Sequence, residues 1–257
     1  MIYYVIVPKN ITKVTLGHSN FQDIKKVKFS INVRNLTGKI LNSESIIANY
    51  PIYYSYINNY FEKDTYIELE FFHDNKTLEH SGTLNVYYET QLKLFGISTG
   101  GLGKNTNSIH KKEISTTIVK NCCYLSENNN TEIYIINPNP TKSIDTHRDG
   151  ALNYKILDSS AKVICDETVL IPAYQMIKIN IKEKLLNNKF LINASSPVFT
   201  FISEQNFNVF PITFMKNKNS PTGCEHSQAK FSYFRLPTNG PQDRKANFLK
   251  LIFTLFK

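Results

Sequence analysis

The amino-acid sequence predicts an all-β chain made of two sandwich-like, immunoglobulin-like halves in tandem, followed by a short C-terminal helix. Three observations carry this. Apolar and polar residues alternate with period two in segment after segment, the pattern of half-buried strands. Turn-forming clusters punctuate those segments, as at Asn137-Pro138-Asn139-Pro140 and Asp158-Ser159-Ser160. The aromatics are Phe and Tyr, 17 and 15 of them with no Trp, and both suit a pleated surface. Hydrophobic residues at 41% supply material for a core, which excludes a disordered chain.

From the N-terminus, Lys26 to Val33 alternates and stops at Arg34-Asn35. Glu68 to Phe71, Gly82 to Tyr87 and Gln91 to Leu94 follow, with a turn at His73-Asp74-Asn75-Lys76. The Gly- and Asn-rich stretch 98–110 lacks any strand pattern and is expected to be a linker between domains at 1–97 and 111–240. Beyond it, Glu132 to Ile135, Asn153 to Leu157, Thr168 to Ile171, Met176 to Ile181, Pro197 to Ile202 and Phe207 to Phe210 read as strands. Ile181 to Asn188 is long enough for two helical turns. In the tail at 241–257, Asp243, Asn247, Lys250, Thr254 and Lys257 form one polar stripe on an otherwise apolar helix that must bury most of its surface. Sliding the sequence by about 85 residues lays 67–94 on 152–179 with matching hydrophobic pattern, which suggests an internal repeat.

The net charge of +9 is unevenly spread. Residues 1–40 carry seven Lys/Arg against one acid, 41–92 carry eight acids against two Lys, and 213–257 carry eight bases against two acids. A basic–acidic–basic layout points to complementarity within or between chains rather than to a uniformly cationic nucleic-acid surface. No secretory signal and no membrane-spanning run is visible, so a soluble cytoplasmic chain with free thiols at Cys122, Cys123, Cys165 and Cys224 is expected.

Catalytic motifs are missing. Ser98 stands where a P-loop needs its first Gly, and Asn105 separates Lys104 from Thr106. Ser43, Ser81 and Ser227 lack a nucleophile elbow. The histidines have no ligand spacing and Cys224-Glu225-His226 has no C-x-x-C companion, so no metal and no cofactor is expected. Three weak binding candidates remain. Asp145, His147 and Asp149 cluster charge in one loop, a site for acid–base work or an ordinary polar turn. Tyr53, Tyr54 and Tyr56 offer amphipathic rings for an interface or a sugar. Lys230, Tyr233 and Arg235 interleave bases with aromatics, as single-strand binders do. The leading expectation is a non-enzymatic structural or interaction module that binds a protein partner, a polymer or itself. A carbohydrate-binding or carbohydrate-processing protein is the alternative, and nucleic-acid binding through the basic termini is the third. The apolar tail at 243–257 could also touch a membrane surface.

Overall fold

The computed structural model describes residues 2–19, 24–73, 76–77, 83–100, 116–137, 150–187, 198–205, 212–218, 220–226 and 234–236. In chain order the first strands are β1 (Ile2–Val7), β2 (Lys13–His18), β3 (Lys26–Asn35), β4 (Ile40–Asn49), β5 (Ile52–Ile57), β6 (Thr65–His73), β7 (Lys76–Thr77), β8 (Thr83–Glu89) and β9 (Leu94–Gly100). Then come β10 (Thr116–Tyr124), β11 (Asn129–Ile136), β12 (Gly150–Leu157), β13 (Val163–Ile171), β14 (Met176–Asn180), the helix α1 (Ile181–Asn187), β15 (Val198–Gln205), β16 (Ile212–Asn217), β17 (Ser220–His226) and β18 (Phe234–Leu236).

The strands form four antiparallel sheets. Sheet A runs β1-β6-β3-β4, with β7 added to β6, and sheet B runs β5-β2-β8-β9. Sheet C runs β13-β12-β15-β10-β18, and sheet D runs β14-β11-β16-β17. The all-β expectation therefore holds, and α1 falls where two helical turns were read. Ser98 to Gly100, expected to begin the linker, complete β9 on the edge of sheet B, and the rest of that stretch, 101–110, lies outside the described residues. Immunoglobulin constant domains pair their first two strands in one sheet. Here β1 pairs β6 while β2 pairs β5 and β8, so the strand order is not the immunoglobulin one. The tail at 241–257 lies outside the described residues.

The two strand sets share one topology. Replacing β1, β2, β3, β4, β5, β6, β8 and β9 by β10, β11, β12, β13, β14, β15, β16 and β17 turns sheets A and B into sheets C and D pair by pair. The hairpin turns match as well. In Asn35-Leu36-Thr37-Gly38-Lys39, Asn35 N–H donates to Lys39 O, Gly38 N–H donates to Asn35 O, and Asn35 Oδ1 accepts from Lys39 N–H. Asp158-Ser159-Ser160-Ala161-Lys162 repeats all three bonds, and Gly38 and Ala161 both take positive φ, 81° and 63°. A register irregularity follows at the same place in each hairpin, Val33/Arg34 and Ile156/Leu157. This correspondence corrects the shift of about 85 residues, which laid β6 on β12, two strands that occupy different places in their sheets. Alternating strands match one another at many offsets, whereas turns match only at the true one.

Sheets A and B meet over a common cluster that includes Tyr3, Val5, Phe29, Ile31, Leu69 and Phe71 from A and Val14, Leu16, Val86 and Tyr88 from B. Sheets C and D meet over another, with Leu152, Tyr154, Ile156, Phe199 and Phe201 facing Ile133, Ile135 and Ile179. Sheet D is buried on both faces. Its other side chains, Tyr134, Ile136, Met176, Ile212 and Phe214, join the cluster of sheets A and B. This explains why Thr131 to Ile136 is buried without alternation. Among the described residues no helix is long and apolar enough to cross a membrane.

Candidate interaction surface

Sheet D and sheet B occupy equivalent places, yet their outer faces differ in fate. The outer face of sheet D is the junction between the strand sets. Phe214 stands edge-on to Tyr88 of β8 and to Tyr134, with centroids 5.5 Å apart in both pairs. Backbone bonding crosses too, Met176 N–H donating to Leu36 O. Tyr66 hydroxyl donates to Tyr174 O at 2.5 Å, and the Arg34 guanidinium lies 4.6 Å from the centre of the Tyr174 ring.

A polar chain threads this junction. Asp64 accepts from Lys178 Nζ at 2.8 Å and from the Lys9 amide at 2.9 Å. The Tyr134 hydroxyl lies 2.9 Å from Asp64 Oδ1 and 2.7 Å from Glu132 Oε2, so two carboxylates share one donated proton. Lys216 Nζ closes the chain 2.5 Å from Glu132 Oε2. Burial alone would raise the Asp64 carboxyl, but hydrogen bonds from Lys178, the Lys9 amide and Tyr134 outweigh it and hold the group below its ordinary range. Lys13–Glu89 and Arg34–Glu68 also join the basic N-terminal segment to the acidic one that follows it. The charge layout is thus met in part within the chain.

Among the described residues, nothing covers the outer face of sheet B in this way. Alternation points Val14, Leu16, Tyr54, Tyr56, Val86 and Tyr88 inward, and cross-strand register then lays three rows on the outside. They are Ile57–Lys13–Glu89–Leu94, Ser55–Thr15–Tyr87–Gly96 and Tyr53–Gly17–Asn85–Ser98. Tyr53 is 77% exposed and Leu94 70%, whereas Met176 and Phe214 in sheet D are 3% and 0%. Small residues make the floor. A Cβ on Gly96 would sit 2.9 Å from the Tyr87 ring, and one on Gly17 would sit 3.8 Å from Tyr53, so both rings lean over cross-strand glycines. Thr15 and Ser55 hydroxyls meet at 3.1 Å, and Ser98 donates to Asn85 at 2.7 Å. Lys13 and Glu89, 3.3 Å apart, are the only charges in the three rows and cancel.

Of the sequence candidates, Tyr53 belongs to this face. Tyr54 and Tyr56 do not: Tyr54 packs on Phe29 and donates to Glu44, and Tyr56 is buried. Arg235 sits on β18 opposite Thr117. Asp145, His147, Asp149, Lys230 and Tyr233 lie outside the described residues, as does the side chain of Arg235. Sequence reading missed Tyr87 and Leu94. The signal was phase: Tyr87 falls on the solvent side of the Leu84, Val86, Tyr88 alternation.

Two other features carry less. The edge strands β4 and β13 each place a glutamate, Glu44 and Glu167, on the side facing the partner sheet, a device that blocks strand addition. Glu167 also gathers Tyr154 hydroxyl, Lys184 Nζ at 2.6 Å and Cys165 Sγ at 3.4 Å. Burial pushes the Cys165 thiol up to about 11 and Cys224 to about 12, with Cys123 higher still. These thiols are protonated at neutral pH and are poor nucleophiles. Among the described residues no three His, Cys, Asp or Glu side chains converge as a metal site.

Comparison with protein-family models and with curated proteins returns no match to this chain.

Proposed function

We propose that the chain is a non-enzymatic interaction module of two tandem β-sandwich units of one topology. The second unit locks onto the first through the outer face of sheet D, and the first presents the outer face of sheet B to a protein partner. One observation carries the reading: of two equivalent sheet faces, one is buried against protein while the other leaves Tyr53, Ile57, Tyr87 and Leu94 exposed. Isolated exposed apolar residues need no explanation, but Tyr53, Ile57, Tyr87 and Leu94 share a single face and mark a contact site. Neutrality of the three rows speaks against nucleic acid as the occupant.

The test is affinity capture from the source lysate with the wild type and with a Tyr53→Arg, Leu94→Arg variant. The account expects specific retention of protein by the wild type and loss by the variant. Equal retention by both would remove sheet B as the docking face, and turnover in an unbiased hydrolase screen would remove the non-enzymatic reading.

A further inference from the structure

Resting on that reading, we propose that the occupant of the outer face of sheet B is the same face of a second copy of this chain, related by a two-fold axis. The first ground is precedent within the molecule. The corresponding face of sheet D already packs against another β unit of this chain, with Phe214 and Met176 where Glu89 and Tyr53 stand in sheet B. The second ground is relief. Tyr53 and Tyr87 lie over Gly17 and Gly96, and Ile57 and Leu94 stand at the two ends of one row, so the raised side chains of one copy meet the low residues Ser55, Asn85 and Ser98 of the other when two such sheets stack face to face. Self-complementarity of this kind is what an isologous contact requires.

Charge is the third ground. A Lys13 and Glu89 pair on one face meets the same pair on the other, and a two-fold axis can bring each lysine toward the opposing glutamate. A chain carrying +9 overall resists self-association wherever its surface is basic, and the three outer rows of sheet B carry a balanced pair. Area sets the strength. Four strands at ~4.8 Å and six residues at ~3.4 Å give a plane of about 400 Å² per molecule. Two such planes total about 800 Å², below the about 1,200 Å² of stable specific contacts, so the dimer is weak and forms only at high protein concentration.

The experiment is sedimentation velocity of the full chain from about 1 µM to about 300 µM. Four proteins are compared: the wild type, Tyr53→Arg with Leu94→Arg, Tyr53→Glu with Leu94→Glu, and a chain ending at Pro241. The wild type and the chain ending at Pro241 should pass from monomer to dimer with concentration. Each charged variant alone should weaken association at least about tenfold with an unchanged melting temperature. Mixing the Arg and Glu variants should restore a heterodimer, which a merely misfolded variant cannot do. Wild type that stays monomeric throughout overturns the inference, and so does association that the charged variants leave intact or that vanishes with the tail. A monomeric wild type retarded in a polysaccharide gel, with retardation lost in the variants, also overturns it and gives the face to a carbohydrate. Failure here leaves the docking reading standing if lysate capture still depends on Tyr53 and Leu94.

Discussion

Replacing Phe214 by Ala removes the side chain that joins the two strand sets most directly. Its ring is fully buried and meets Tyr88 on β8 and Tyr134 on β11, both edge-on at 5.5 Å. Loss of a buried phenyl costs about 3–5 kcal/mol, the sum of lost transfer energy and the cavity left behind. Part of that is the edge-to-face contacts, worth about 0.5–1.5 kcal/mol each. The neighbours cannot collapse freely, because the Tyr134 hydroxyl is anchored between Asp64 and Glu132, so the middle of the range, about 4 kcal/mol, is the expectation. For a chain of this size each kcal/mol lowers Tm by about 2–4 °C. Differential scanning calorimetry should then place the variant about 8–16 °C below the wild type. Tyr53→Ala, on the equivalent sheet but open to water, should cost no more than about 0.5 kcal/mol. Equal shifts for the two variants would refute the claim that sheet D's outer face is buried and sheet B's is not.

Further expectations concern charge, turns and thiols. Burial pushes the His18 imidazole down to about 4, between the hydroxyls of Tyr3 at 2.9 Å and Tyr50 at 2.8 Å. The unfolded chain protonates first, so His18 contributes full stability above about 6.5 and that stability falls as pH drops toward 4; an NMR titration of His18 with a midpoint near 6.5 would contradict this. The depressed Asp64 carboxyl acts in the same direction lower down, its stability present above its ordinary value and lost as pH falls below it. Urea melts of Asp64→Asn should show a flatter acid limb. Lys216→Met leaves Glu132 buried without its cation and should destabilise by about 3–5 kcal/mol in the same melts. At the equivalent turn positions, Gly38→Ala should cost more than about 1 kcal/mol, since its Cβ would lie 2.7 Å from Tyr174 O at positive φ. Ala161→Gly should be neutral to stabilising by about 0.5 kcal/mol. A thiol reagent should modify exposed Cys122 fastest in the native protein, half-buried Cys224 more slowly, and buried Cys123 and Cys165 only on unfolding.

The fold class was legible because half-buried strands write their burial into alternate residues. Lys26 to Val33 alternates in sequence and again in burial along β3. Sheet D escaped the same logic. Thr131 to Ile136 is covered by sheet C on one side and by the first strand set on the other, and an unbroken apolar run does not say what covers it. The topological correspondence was also hidden, since two sets of alternating strands align at many offsets. Its firmest trace lay in the turns, where Asn35 and Asp158 make the same side-chain bonds to the backbone. As for the interaction surface, Tyr53, Tyr54 and Tyr56 looked alike by composition, and only the phase of Ile52, Tyr54 and Tyr56 separates the exposed ring from the inward-facing ones. Strand pairing over long separations, such as Gly17 with Tyr53 and Asn85, builds the face from three segments that no local pattern connects.

Hydroxyl-radical footprinting of the native chain in dilute and concentrated solution reads both sheet faces at once. Tyr134 and Phe214 should be unreactive at both concentrations, while Tyr53, Tyr87 and Leu94 should react when dilute and be protected when concentrated. Oxidation of Tyr134 and Phe214 as fast as Tyr53 in the dilute sample would contradict this, because the two equivalent faces would then be equally open.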